Sequence, residues 1–459
     1  AIHVRLGQEC GEAGDCKSGI CHAEGCVAEH AWSKSFGDAT ADQSASSVAI
    51  DGTGNVVVAG EFAGTIGFGG AQLVSQKLGT IFTAKLGPEG GHLWSKRYET
   101  SKASPDARVV TDSEQNVFLA CRAFGGVDLG GGPLGHTGKI GAFIVKLNPS
   151  GNHLWSKGFT SDVGVVGFYD LAIDSSGAVI LVGAFTTTVD FGDGTRTNKD
   201  NFEDVFVVKL HKDGTLAWSK SFESNLNVPP IRVSASSSGD ILIAGSLRKN
   251  IDFGGGALTS AGSDDVFVVK LDSDGKHVWS KRFGDAASQF VRAIATDAQG
   301  NAVVAGHFLG ALDFGGGPLV SKGGKELFVA KLGASGEHDW SVRFGDVGAT
   351  GVDAFSVKID ASGNLFIGGE FGTTVDFGGG PLTSAGDLDA FILELGDDGK
   401  HRLSRRFGNQ DAQLSPAVAV DNTGLLALTG AFQGSINFGG GELISSGMKD
   451  VFIAKLAYP

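Results

Sequence analysis

All six tryptophans of this chain, Trp32, Trp94, Trp155, Trp218, Trp279 and Trp340, fall in one tripeptide context and recur about every 62 residues. Five read Trp-Ser-Lys and the sixth reads Trp-Ser-Val. A seventh copy has lost its indole and reads Leu403-Ser404-Arg405. A unit of this length repeated seven times points to one repeat body rather than a string of unrelated domains, because each copy can bury its apolar face only against a neighbour.

The copy from Val291 to Phe344 shows what the unit contains. Residues 291–297 alternate apolar with small or polar side chains, as a strand does. Turns at 298–301 and 334–337 separate further strand-like runs at 302–308, 327–332 and 338–344. A Gly-rich excursion, Leu312-Asp-Phe-Gly-Gly-Gly-Pro-Leu319, lies between the second and third runs. Four antiparallel strands, seven times over, predict an all-β chain folded as a seven-bladed β-propeller. Glycine, 73 of 459 residues and about twice the ordinary share, serves the many tight turns. The chain enters on an outer strand, 31–36, and leaves on a third strand, 451–456. The ring is therefore expected to close by pairing of those two segments, which removes a loose edge.

Residues 29–459 resemble the bacterial β-propeller repeat family. The resemblance rests on copies such as Val48-Ala-Ile-Asp-Gly-Thr-Gly-Asn-Val-Val-Val-Ala-Gly60 and Ile359-Asp-Ala-Ser-Gly-Asn-Leu-Phe-Ile-Gly-Gly369. It implies the fold and no single activity. Residues 1–28 read as a separate appendage. Cys10, Cys16, Cys21 and Cys26 crowd together there, and their spacing lacks the close Cys pairs of zinc sites. They are expected to form a two-disulfide knot in an oxidising compartment, with three connectivities open. The segment is similar to a small Cys knot of secreted bacterial surface proteins, which implies pairing of Cys10 with Cys21 and of Cys16 with Cys26. An extracellular or cell-surface location follows as an expectation, as does a mature or trimmed start at Ala1. Cys121 stands apart and is expected to be a buried free thiol.

The net charge of −14, without a basic cluster, argues against nucleic acid as a partner. No apolar run is long enough for a membrane span. No Ser-His-Asp context, HExxH or phosphate loop is present, so the chain reads as non-catalytic. The excursion keeps an aspartate in five copies, Asp128, Asp190, Asp252, Asp313 and Asp376. Aspartate with glycines can contribute oxygens to calcium, or the carboxylate can simply accept the following Gly amides. One carboxylate per site is thin for calcium, so no cofactor is expected beyond that calcium candidate.

Repeats held only by packing should look alike, so divergence marks candidate sites. At the end of the second strand the copies differ as Glu61, Arg122, His307 and Glu370. Just before the first strand, the loops carry Arg108, Asp170, Arg232 and Arg292, with Tyr169 and Asp353 nearby. Both places face one mouth of the central channel in a propeller. Polar groups converging there suit a carbohydrate or protein ligand, whereas a wet rim of mutually paired charges is the plain alternative. The expected function is a secreted or surface binding or scaffold protein. The alternative is a structural subunit that forms a homo-oligomer or polymer through the N-terminal strand, with Ile2, Val4 and Leu6 on its apolar side. A propeller hydrolase or lyase ranks third.

Overall fold

The computed structural model describes residues 21–22, 25–26, 29–100, 102–135, 139–199, 202–224, 231–345, 351–421 and 423–457. Seven antiparallel sheets of four strands are arranged as a ring. In the fifth blade, Gln289–Thr296 is innermost, followed outward by Ala302–Phe308, Glu326–Leu332 and His338–Phe344. Innermost strands of successive blades pack side by side around the axis, and those of blades 7 and 1 meet to close the circle. The last sheet takes three strands, Gln413–Val420, Leu425–Phe432 and Asp450–Ala457, from one end of the sequence. Its outer strand, Glu29–Phe36, comes from the other, with Phe36 opposite Val451 and Trp32 opposite Lys455. The expected closure is thus present, and so is every expected strand type. The Gly-rich excursion adds one feature, a small two-stranded ribbon such as Asn250–Asp252 paired with Ala257–Thr259.

The core lies between blades rather than within them. Seven apolar clusters each join two neighbours; that between blades 7 and 1 packs Trp32, Ile453 and Ala427 against Val58 and Phe82. Phenylalanines run outward through six of the seven interfaces, as in Phe283, Phe314 and Phe328, whose ring centroids are 4.8 and 5.5 Å apart, while Tyr98 and Leu129 take two of these places between blades 1 and 2. The Phe of each Asp-Phe-Gly excursion is therefore a core residue. Cys121 is fully buried, and burial pushes its thiol up to about 12, as expected of an inert thiol.

A second, polar contact repeats at six of the seven interfaces and explains the tryptophans. The indole Nε1 of Trp279 in blade 4 donates to the carbonyl of Ala334, in the outer turn of blade 5, at 3.0 Å. Lys270 on the third strand of blade 4 donates to the same carbonyl at 3.2 Å. Its ammonium also pairs with Asp240 at 3.0 Å. The same arrangement recurs where Trp94 and Lys85 meet Pro149, Trp155 and Lys146 meet Lys212, and Trp218 and Lys209 meet Ser273. Trp32 and Lys455 converge on Pro88. Trp340 likewise takes the Asp397 carbonyl, while Lys331 takes that residue's carboxylate. Each indole also lies over the turn glycine of the next blade. At Gly90, φ is +75° and an added Cβ would sit 2.8 Å from the Trp32 ring, so only glycine fits.

Blade 6 breaks this pattern, and geometry says why. Its neighbour, blade 7, has no turn between third and outer strands, since no short segment joins residue 457 to residue 29. No carbonyl of such a turn is found among the described residues, and blade 6 carries Leu403 and Glu394 where six blades carry a donor pair. Glu394 is 1% exposed, and both its carboxylate oxygens lack a hydrogen-bond partner among the described residues. Burial, and then the charge of Asp360, push its carboxyl up to about 7. Its ordinary value is 4.5, so below that pH it is protonated both folded and unfolded and its ionisation adds no cost. As pH rises the unfolded chain ionises first, and stability falls until about pH 7. The full cost is roughly 3 kcal/mol at most. Glu394→Gln should therefore melt several degrees above the parent at pH 8 and within a degree or so at pH 4, by circular dichroism. An equal gain at both pH values would show that charge is not the cause.

Candidate functional site

The innermost strands leave a bore on the ring axis, a cavity of about 80 Å³ lined by all seven blades. Bulges aim side chains into it. In blade 5 the register skips Arg292 between Val291 and Ala293, and in blade 6 it skips Phe355 between Ala354 and Ser356. A bulge turns adjacent residues off the regular alternation, so side chains beyond the alternating set reach the bore. Ser46, Arg108, Asp170, Arg232, Arg292 and Lys358, from six successive blades, line it.

These groups are strapped from blade to blade. Arg108 donates to the Ser46 carbonyl at 2.8 Å, and its Nε lies 3.8 Å from Asp170. Asp170 accepts from the Val233 amide at 3.1 Å, and Arg232 donates to the Arg292 carbonyl at 2.8 Å. Arg292 forks onto Asp353 at 3.0 and 3.3 Å. Lys358, on the far side of the ring, is within electrostatic reach of Arg108 and Asp170. Lys358 is solvent-exposed by surface area yet lies deep within the protein, because the exposure is to the bore itself. This enclosure holds its ammonium below the usual lysine range; Asp170 opposes the shift and Arg108 adds to it.

The structure divides the sequence-derived rim residues into two groups. Arg108, Asp170 and Arg232 line the bore, and they stand, like Arg292, on the innermost strands themselves rather than in the loops before them, because those strands begin earlier than their apolar alternation suggests. Glu61, Arg122, His307 and Glu370 stand at equivalent second-strand positions outside its lining, where two of them strap neighbouring blades. His307 Nδ1 meets Asp353 of blade 6 at 2.9 Å, and Glu370 accepts from the Ser415 amide of blade 7 at 2.9 Å. Burial lowers the pKa of His307 despite Asp353, and burial raises that of Glu370. For Asp353, burial works against ionisation, but His307, Arg292 and Lys325 outweigh it and hold the carboxyl low. His307 and Asp353 are 4% and 6% exposed, and Asp353 is also clamped by Arg292, so the pair serves to hold blades 5 and 6 together. Sequence comparison of the copies missed Lys358. Its signal was a charge in register with Ala49, Ala172, Ala295 and Ala419.

The five aspartates of the excursions share one geometry. Asp252 accepts from the Gly254 amide at 2.7 Å and the Gly256 amide at 3.1 Å, and Asp128, Asp190, Asp313 and Asp376 repeat this. Among the described residues, no three His, Cys, Asp or Glu side chains gather in a metal-holding group. Asn437 fills the position in blade 7 and keeps the bond to Gly439. Cys10 and Cys16 of the expected disulfide knot and the apolar Ile2, Val4 and Leu6 lie outside the described residues. The backbones of Cys21 and Cys26 pair as opposite residues of a two-stranded ribbon.

No family model matches the chain. Similarity to a curated protein is found with an uncharacterized WD repeat-containing protein of Acanthamoeba polyphaga mimivirus, 22% identical over 407 residues. The match covers 71% of this chain and only 29% of that relative's length. Among solved structures, an ulvan lyase bound to a glucuronate–sulfated rhamnose ligand aligns over 90% of this chain and 97% of its own, with 12% identity and a TM-score of 0.46. The WD40 domain of Neurospora crassa Pan2 aligns over 89% of each chain at 12% identity and 0.44. A virginiamycin B lyase from Staphylococcus aureus aligns over 93% and 99% at 10% identity and 0.43.

If the aspartates serve the turns alone, Asp252→Ala should cost about 1 kcal/mol, while Asp252→Asn should be nearly neutral. Calcium and EDTA should then give the same melting temperature, measured by differential scanning calorimetry. A calcium-dependent gain lost in Asp252→Asn would restore the metal reading.

Proposed function

We propose that this protein is a non-catalytic binding or scaffold propeller of the secreted or cell-surface kind, with its ligand site at the bore. Its ligand is a carbohydrate or a protein. The observation that carries this reading is where the copies diverge. Packing positions repeat from blade to blade, while the matched first-strand position reads Ser47, Arg108, Asp170, Arg232, Ala293, Ser356 and Ala417. Several of these side chains line the bore, where packing does not dictate their identity. A Cys knot fits the same reading, since four crowded cysteines suit an oxidising compartment.

Because Ser occupies this position in two blades, Arg108→Ser with Arg232→Ser should fold normally. Screened on a glycan array and against surface-protein extracts, the parent should retain a ligand that the double variant loses, with unchanged melting. Equal retention by the variant would place the site elsewhere.

The assembly reading rests on residues 1–6 and is decided by sedimentation velocity of the full chain against a version starting at Ala28. A compact monomer in both cases removes it; large species confined to the full chain would make it the leading account.

A further inference from the structure

We propose that the bore is an anion site, taking a small oxyanion or the single carboxylate, phosphate or sulfate group of a larger ligand. The inference rests on the binding reading above and adds the chemistry of the ligand. Four cations, Arg108, Arg232, Arg292 and Lys358, line the cavity from four blades, with Asp170 as the carboxylate among the lining residues. Counting Asp353, which clamps Arg292 from just outside, two positive charges remain in excess. This excess sits at the axis of a chain whose net charge is −14, so the rest of the chain carries the balancing negative charge. Low-dielectric walls focus such a field along the channel.

The straps described above use part of each guanidinium and hold it in place, which lowers the ordering cost of binding. Lys358 differs from the arginines. Across the bore it faces both the like charge of Arg108 and the carboxylate of Asp170. No hydrogen bond or ion pair of its ammonium is present among the described residues, and enclosure disfavours its charge. An anion beside it relieves that cost. Size narrows the class further. About 80 Å³ holds a few waters or one oxyanion, well below the ~300 Å³ of a pocket for a whole organic ligand. The bore therefore grips a charged group, and any remainder of the ligand lies outside it.

The test is isothermal titration calorimetry on the full chain with inorganic phosphate, sulfate and glucuronate, each at ionic strength matched with sodium chloride. Lys358→Ala installs the residue that four blades already carry, so folding is not at issue. Lys199→Ala, which removes an exposed outer ion pair, is the control. At least one of the three anions should bind the parent and the control alike, and at least tenfold more weakly to Lys358→Ala. Phosphate or sulfate binding as tightly as glucuronate marks a free oxyanion; tighter glucuronate marks the acidic group of a sugar. No anion binding above chloride, or equal binding by Lys358→Ala, overturns the proposal. A neutral glycan or peptide that binds the parent and is lost in the Arg108→Ser, Arg232→Ser variant would then leave the channel reading standing without its anion.

Discussion

The ring is organised by one repeated contact in which a carbonyl of each outer turn receives an indole and, in most interfaces, also an ammonium from the preceding blade. Apolar packing between blades supplies most of the burial, but it is non-directional and tolerates sliding. The shared carbonyl sets angle and register. A tryptophan that stacks on a turn glycine and donates to that turn fits in one pose, and a buried lysine with a carboxylate behind it fixes the third strand alongside. Breaking such a buried pair leaves a charge uncompensated, so the contact specifies geometry more than it adds stability. The histidines act similarly further out. His277 bonds Ser280 at 3.0 Å and lies where any side chain on Gly255 would have to go.

Fold was legible because the constraint repeats. Six tryptophans in one context and a strand count out of phase at the two ends of the ring were enough to foresee blade number, strand order and closure. The site was less legible because divergence has more than one cause. Arg108, Asp170 and Arg232 diverge because they face the bore, whereas His307 and Glu370 diverge as inter-blade straps, and a single sequence shows both in the same way. Lys358 escaped notice because it lies two residues along from the compared position, on the same face of the strand, and only the ring places that face toward the other blades' cations. Departures also compensate locally. In blade 3, Asp193 replaces a glycine and Leu216 a histidine, and Asp193 then accepts from Ser219 at 2.8 Å, the bond the histidine makes elsewhere. Such sets are visible only once the excursion is known to fold over the outer strand.

Charge is sorted radially. The chain as a whole is acidic, the bore is lined by more cations than carboxylates, and Arg292 pairs with Asp353 across a blade seam. Sorting of this kind favours small anions at the axis and discourages polyanions from lying on the rim, where the general field repels them.

Leu403 and Glu394 mark the interface in which a turn is missing, and so they record where the circle was cut open to make a linear chain. A permuted version, with residue 457 linked to residue 29 and new ends opened in another outer turn, would gain a carbonyl that nothing in blade 6 is equipped to meet. It would also strand a tryptophan and a lysine at the new opening. Restoring the ring would then require moving the two exceptions along with the cut, since the position of the break and the composition of the preceding blade are one constraint rather than two.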